Sequence, residues 1–191
     1  MNKGRLEAFT DGVIAIVITI MVLEMKAPQG SDFAALKSTA PVFLAYVLSY
    51  TNVGIFWNNH HHMLQATKHV NGKALWANLF LLFSLSLVPV VIRWMDETQF
   101  AALPTAAYGV TLVAAAFGYL MLQRAIMAYN GPGSVLAGAI GHDRKGKLSI
   151  LIYAAAIPLA FVRSWIAITL YVAVALLWFL PDRRIEAAIQ E

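Results

Sequence analysis

The sequence predicts an all-α, polytopic membrane protein with six transmembrane helices, and three observations carry that prediction. Apolar residues make up 60% of the 191-residue chain and charged residues 13%, against roughly half and a quarter in soluble domains. Mean hydropathy is +0.67. The apolar residues fall in runs close to the roughly twenty residues a helix needs to cross a bilayer, and basic residues flank those runs. Six spans with short connections use the whole length, so residues 1–191 read as one six-span domain with no room for a soluble one. The net charge of +4 would suggest nucleic acid in a soluble protein. Here it follows from basic loops beside spans, and no nucleic-acid partner is expected. There is no cysteine, which excludes disulfides and thiol chemistry.

The first span runs over 9–25, about 26 Å as a helix. Lys3 and Arg5 ahead of it give the start the shape of a secretory leader. Asp11 interrupts that apolar run, and Met25-Lys26-Ala27-Pro28 offers no small-x-small site, so cleavage is not expected. A carboxylate at the foot of a span is costly and marks function or a paired structural role. At about 100° per residue, Gly12, Ile16, Ile20 and Leu23 form one stripe with Thr19 beside it, and Asp11 lies about 140° away from Ile16. Packing on neighbouring helices satisfies this periodicity by itself. If the stripe faces an axis instead, rings of Ile16, Ile20 and Leu23 make a hydrophobic constriction that gates by dewetting. Thr19 then offers an oxygen near the constriction, unless its hydroxyl bonds back to the Ala15 carbonyl. Glu24 either rings an outer mouth with negative charge or is a solvated helix end.

The segment from Pro28 to Asp32 is a turn, with Ser31 or Asp32 as a helix cap. The second span covers 40–57, with Pro41 near its start, and ends in Phe56-Trp57-Asn58-Asn59-His60-His61-His62. Adjacent histidines on a helix point about 100° apart and cannot converge on one ion, so no metal site is expected. One histidine is expected to hydrogen-bond Asp11, since both lie near the cytoplasmic ends of their spans. Asn78, in the third span (74–92), adds an amide at the same depth. Pro89 there and Pro158 in the fifth span are expected to kink their helices. The fourth span covers 103–127. Gly131 to Ser134 and Gly141 to Lys147 form the longest polar connection. Spans five and six, 148–162 and 165–180, are parted by Arg163 and Ser164, which reads as a tight hairpin with Arg163 snorkelling to the interface.

Ten of the fourteen basic residues fall on one side: Lys3, Arg5, Lys68, Lys73, Arg124, Arg144, Lys145, Lys147, Arg183 and Arg184. Lys26, Lys37, Arg93 and Arg163 fall on the other. That bias puts both termini in the cytoplasm of a protein of the cell inner (plasma) membrane. No Ser-His-Asp arrangement, phosphate loop or zinc motif is legible, so no catalytic residue and no cofactor is expected. The potassium-filter sequence TVGYG is absent too. One six-span unit whose first helix lines a pore needs several copies around an axis.

Arg5-x-x-x-Phe9-Thr10-Asp11, followed by Ala15-Ile16-x-x-Thr19, resembles the first-span signature of the transmembrane protein 175 family, the lysosomal potassium channels and their bacterial relatives. The Trp57-x-x-His60-His61 end of the second span and the third span from Asn78 to Pro89 are similar to the family pattern as well. Thr10 stands where the family usually has Ser, which keeps the hydroxyl. The resemblance implies a potassium-permeable cation channel of passive leak type, without a carbonyl filter. Bacterial members carry one six-span repeat and form homotetramers, whereas animal members carry two and form dimers. It further implies a constriction at Ile16 with rings at Ile20 and Leu23, and a part in potassium preference for Thr19. Arg5, Phe9, Thr10 and Asp11, with Trp57, His60, His61 and Asn78, would form a structural or gating network that ties the first helix to its neighbours. A proton-coupled carrier using Asp11 and a histidine as relay is the alternative, although the paired broken helices of repeated halves are missing. A membrane enzyme or assembly factor would need a polar cluster facing a cavity, and the sequence places none.

Overall fold

A backbone in hydrocarbon must satisfy its own polar groups, and these apolar runs do so as helices. The computed structural model describes residues 3–140 and 143–179, except the side chains of 139 and 140. Gly141 and His142 of the polar connection, the last residue of the sixth expected span, Leu180, and the charges of Arg183 and Arg184 lie outside the described residues. The helices are α1 (Lys3–Leu23), α2 (Phe33–Gln65), α3 (Gly72–Ser86), α4 (Val88–Glu97), α5 (Ala102–Asn130), α6 (Val135–Ile140), α7 (Arg144–Val162) and α8 (Ser164–Phe179). Among the described residues, five segments are long and apolar enough to cross a membrane: Lys3–Leu23, Phe33–Gln65, Gly72–Glu97, Ala102–Asn130 and Arg144–Val162. Ser164–Phe179 is apolar but shorter. The architecture is that of a multi-pass membrane protein with five to six spanning helices.

Side chains start several of these helices. Asp32 Oδ1 accepts from the Ala35 N–H at 2.8 Å, Asn71 Oδ1 from Ala74 at 3.0 Å and Asp143 Oδ1 from Gly146 at 2.8 Å, each filling an otherwise orphan donor. The break between α3 and α4 has a local cause. Pro89 carries no N–H for the Leu85 carbonyl, and the Ser84 and Ser86 hydroxyls donate back to the carbonyls of Phe80 and Phe83 at 2.9 and 2.7 Å. The helix resumes with Pro89 in its first turn, where a missing donor is harmless. Pro158, by contrast, lies inside a continuous α7, and Pro41 inside a continuous α2.

α5 is the centre of the bundle and packs on α3, α4, α7 and α8. Small residues permit the closest approaches: a Cβ on Gly118 would lie 3.0 Å from the Leu81 backbone. α7 and α8 form the expected hairpin, turning at Arg163 with extended backbone (φ −157°, ψ 122°). α2 is 33 residues long rather than the eighteen expected, and its halves differ. Buried residues, Ser49, Asn52, Val53, His60, Met63 and Leu64, all belong to its second half, and none lies between Phe33 and Leu48. The turn after α4 is strained: Gln99 and Phe100 have φ of 50° and 60°, a region side-chain-bearing residues rarely adopt. It lays the Phe100 ring against Trp165, centroids 6.0 Å apart.

Candidate pore helix and the polar seam that positions it

α1 has two faces. Leu6, Thr10, Ile14, Val17 and Met21 recur at helical spacing and are buried. The opposite face bears Arg5, Phe9, Gly12, Ile16, Thr19, Ile20 and Leu23, all exposed. Ile16 is 57% exposed, Ile20 40% and Leu23 80%, so the protomer's own helices leave this stripe uncovered. The Thr19 hydroxyl donates within its own helix, with the carbonyls of Ile16 at 2.9 Å and Ala15 at 3.1 Å in reach. A hydroxyl used this way as a donor still has lone pairs to accept with.

Opposite the stripe, α1 meets the antiparallel α2 along a seam of polar rungs. Lys3 Nζ donates to the carbonyls of Leu64 and Gln65 at 2.8 and 3.3 Å, a cation on the carbonyl end of α2 where the helix dipole favours it. Glu7 Oε1 lies 3.3 Å from His61 Nδ1. Asp11 Oδ1 accepts from the Trp57 indole N–H at 2.8 Å. His61 also accepts from the Gln65 amide at 2.8 Å and stacks on Trp57 at 5.8 Å. The Asp11 partner is therefore Trp57 rather than the expected histidine. The reason is depth: Trp57 lies one turn before His61 along α2, and Glu7 one turn before Asp11 along α1, so each carboxylate meets its own level. The same fact removes the contact on which an Asp11–histidine relay depends.

A second set of bonds joins α1, α2 and α3. Asn78 donates from Nδ2 to Thr10 Oγ1 at 2.9 Å, and its Oδ1 lies 2.9 Å from His60 Nε2. All three side chains are buried. Thr10, Asp11, Trp57, His60, His61 and Asn78 are thus drawn together by the structure. Arg5 and Phe9 are not, because they point with the exposed stripe. Glu24 does not offer a bare carboxylate: Arg93 Nη1 holds it at 2.8 Å and Arg93 Nε holds Glu97 at 3.1 Å, with Lys26 3.7 Å from Glu97. This cluster fastens the end of α1 to α4 and balances two negative charges with two positive ones.

Sequence reading missed two things here. Lys3 and Glu7 belong to the seam, and the signal was their spacing, since residues 3, 7 and 11 share one helix face as do 57, 61 and 65. The other is a buried tyrosine cluster. Tyr108 OH shares a hydrogen bond with Ser49 Oγ at 2.9 Å and accepts from Asn52 Nδ2 at 3.3 Å. Tyr153 OH donates to Asn52 Oδ1 at 3.4 Å, and Tyr171 OH to the Thr105 carbonyl at 3.0 Å. Three isolated tyrosines on α5, α7 and α8, with Ser49 and Asn52 on α2, give no local sequence signal.

The fold and these seams define a multi-pass, all-helical membrane protein whose first helix is clamped on one face and bare on the other. A protein named as a potassium channel from a Chryseobacterium strain is 50% identical over 191 residues, all of both chains. The chain belongs to the TMEM175 family. The family model described as endosomal/lysosomal potassium channel TMEM175 matches residues 5–89. The human endosomal/lysosomal proton channel TMEM175 is 40% identical over 84 residues, 36% of this chain and 17% of that protein. Among solved structures, the fold matches the crystal structure of a lysosomal potassium-selective channel TMEM175 homolog from Chamaesiphon minutus. That match has a TM-score of 0.81 and 25% identity over 94% of this chain and 97% of that one. The family and these relatives are channels rather than enzymes, in line with the absence of a catalytic motif from the sequence.

Proposed function

We propose that this chain is the pore-forming subunit of a potassium-permeable, passively conducting cation channel, a homotetramer with α1 at its axis. The observation that carries the reading is the bare stripe of α1. The protomer leaves this stripe uncovered, and copies of it around an axis would set Ile16, Ile20 and Leu23, with the Thr19 hydroxyl, along one shared path. On this reading Ile16, Ile20 and Leu23 form successive apolar rings, and permeant K+ sheds part of its hydration there. Thr19 supplies oxygen lone pairs beside the Ile16 ring. The ten-to-four distribution of basic residues supports cytoplasmic termini in the inner membrane. The names of the relatives support potassium as the permeant ion, and those of the animal proteins recommend recording under a proton gradient as well.

The test is bilayer recording of purified protein under opposed potassium and sodium gradients, with Ile16→Asn beside the wild type. The reversal potential is expected to move toward potassium, and Ile16→Asn is expected to raise conductance or loosen selectivity by wetting the constriction. An unchanged current in Ile16→Asn would falsify the assignment of the constriction.

A further inference from the structure

A groove of about 460 Å³ runs between the unanchored half of α2 and α8. Leu44, Val47, Val172 and Leu176 line it. Its hydroxyls are already engaged: Ser49 with Tyr108, Thr51 with the Val47 carbonyl at 2.8 Å, and Tyr171 with the Thr105 carbonyl. The donor hydrogens of these groups are committed and the rest of the lining is aliphatic or aromatic, so the walls suit hydrocarbon. The end of the groove near the α7–α8 turn is different. Trp165 lies there against Phe100, held in place by the strained turn at Gln99 and Phe100. Arg163 is two residues from Trp165, and Lys37 is one turn ahead of Pro41, another lining residue. Both cations are exposed, and neither makes a hydrogen bond or ion pair through its side chain among the described residues.

We propose that this groove binds an anionic phospholipid, with one acyl chain between α2 and α8 and the phosphate held by Arg163 and Lys37. The apolar walls select the chain, the aromatic rim matches the membrane interface, and the two unpaired cations select the headgroup charge. A second copy of this chain seated in the groove would take Arg163 and Lys37 out of water, whereas a phosphate neutralises them. The site does not depend on the ion that the protein conducts.

Native mass spectrometry of delipidated full-length protein, with dioleoylphosphatidylglycerol and dioleoylphosphatidylcholine at equal concentration, tests this. The wild type is expected to retain phosphatidylglycerol at least tenfold over phosphatidylcholine. Lys37→Gln combined with Arg163→Gln, both at exposed positions, is expected to reduce that preference to parity. Ala45→Trp, which fills the groove and leaves the rim intact, is expected to remove both lipids. Equal retention of the two lipids by the wild type, or an undiminished preference in the double variant, overturns the site. So does lipid that binds the dissociated protomer and is absent from the assembled species, a result that would give the groove to a second copy.

Discussion

Asn78 bonds in two directions at once, and that makes it the residue whose loss should be felt most. Replacing it by Leu keeps the volume but leaves the Thr10 hydroxyl and the His60 imidazole without their partner (2.9 Å each) in a site from which water is excluded. Each buried group left unpaired costs about 1–3 kcal/mol. Asn78→Leu is therefore expected to lower the thermal unfolding midpoint in detergent and the yield of assembled protein, read by size-exclusion fluorescence. Gly109 is a second such point, for a steric reason. A Cβ there would run into the Tyr171 hydroxyl, and overpacking of this kind costs about 1–3 kcal/mol. Gly109→Ala should destabilise, and adding Tyr171→Phe should recover part of the loss. If the double variant is no more stable than Gly109→Ala alone, the hydroxyl is not the obstacle.

At the scale of elements, the α1–α2 seam decides how the first helix sits. Asp11→Ala is expected to reduce folding or tetramer yield more than it alters ion preference, because Asp11 is turned toward Trp57 and away from the bare stripe. Normal assembly with lost preference would make Asp11 a pore residue after all. A double-mutant cycle with Trp57→Phe should show coupling on the order of 1 kcal/mol, the usual size for a side-chain bond between membrane helices. The far end of α1 depends on a different element. Arg93 ties Glu24 to Glu97, so Arg93→Gln leaves both carboxylates less compensated. On the channel reading this raises cation conductance in dilute salt. The gain should fade near 1 M salt, where the screening length falls from about 30 Å at 0.01 M to about 3 Å. Conductance raised equally at both concentrations would place the effect somewhere other than the charge.

Across the whole molecule, what was legible in the sequence was whatever depends on local pattern. Six apolar segments, the α7–α8 turn at Arg163 and the disturbance at Pro89 all follow from composition and backbone chemistry. The length of α2 was not legible, since Asn58 to His62 look like a helix end until Asn78 and Glu7 come into reach from other helices. The candidate site divides the same way. Thr10, Asp11, His60 and Asn78 could be named together, but which carboxylate meets which donor is set by the depth at which α1 and α2 cross. The exposed stripe of α1 could be drawn from periodicity, whereas its exposure is a property of the packed bundle. The tyrosine cluster needed four helices in place before it existed at all.

The rungs of the seam and the Gly12, Ile16 and Ile20 part of the stripe share one spacing, four residues, or about 6 Å along a helix. Sliding α1 along α2 by less than that separates every rung at once. Sliding it by one full turn sets Asp11 opposite His61 and Glu7 opposite Gln65, and brings Ile20 to the level that Ile16 held. Carboxylate again meets a donor, and isoleucine again stands at the same height. The α1–α2 seam by itself thus repeats in whole steps, and the bonds of Asn78 to Thr10 and His60, with Arg93 on Glu24, single out the step the protein occupies.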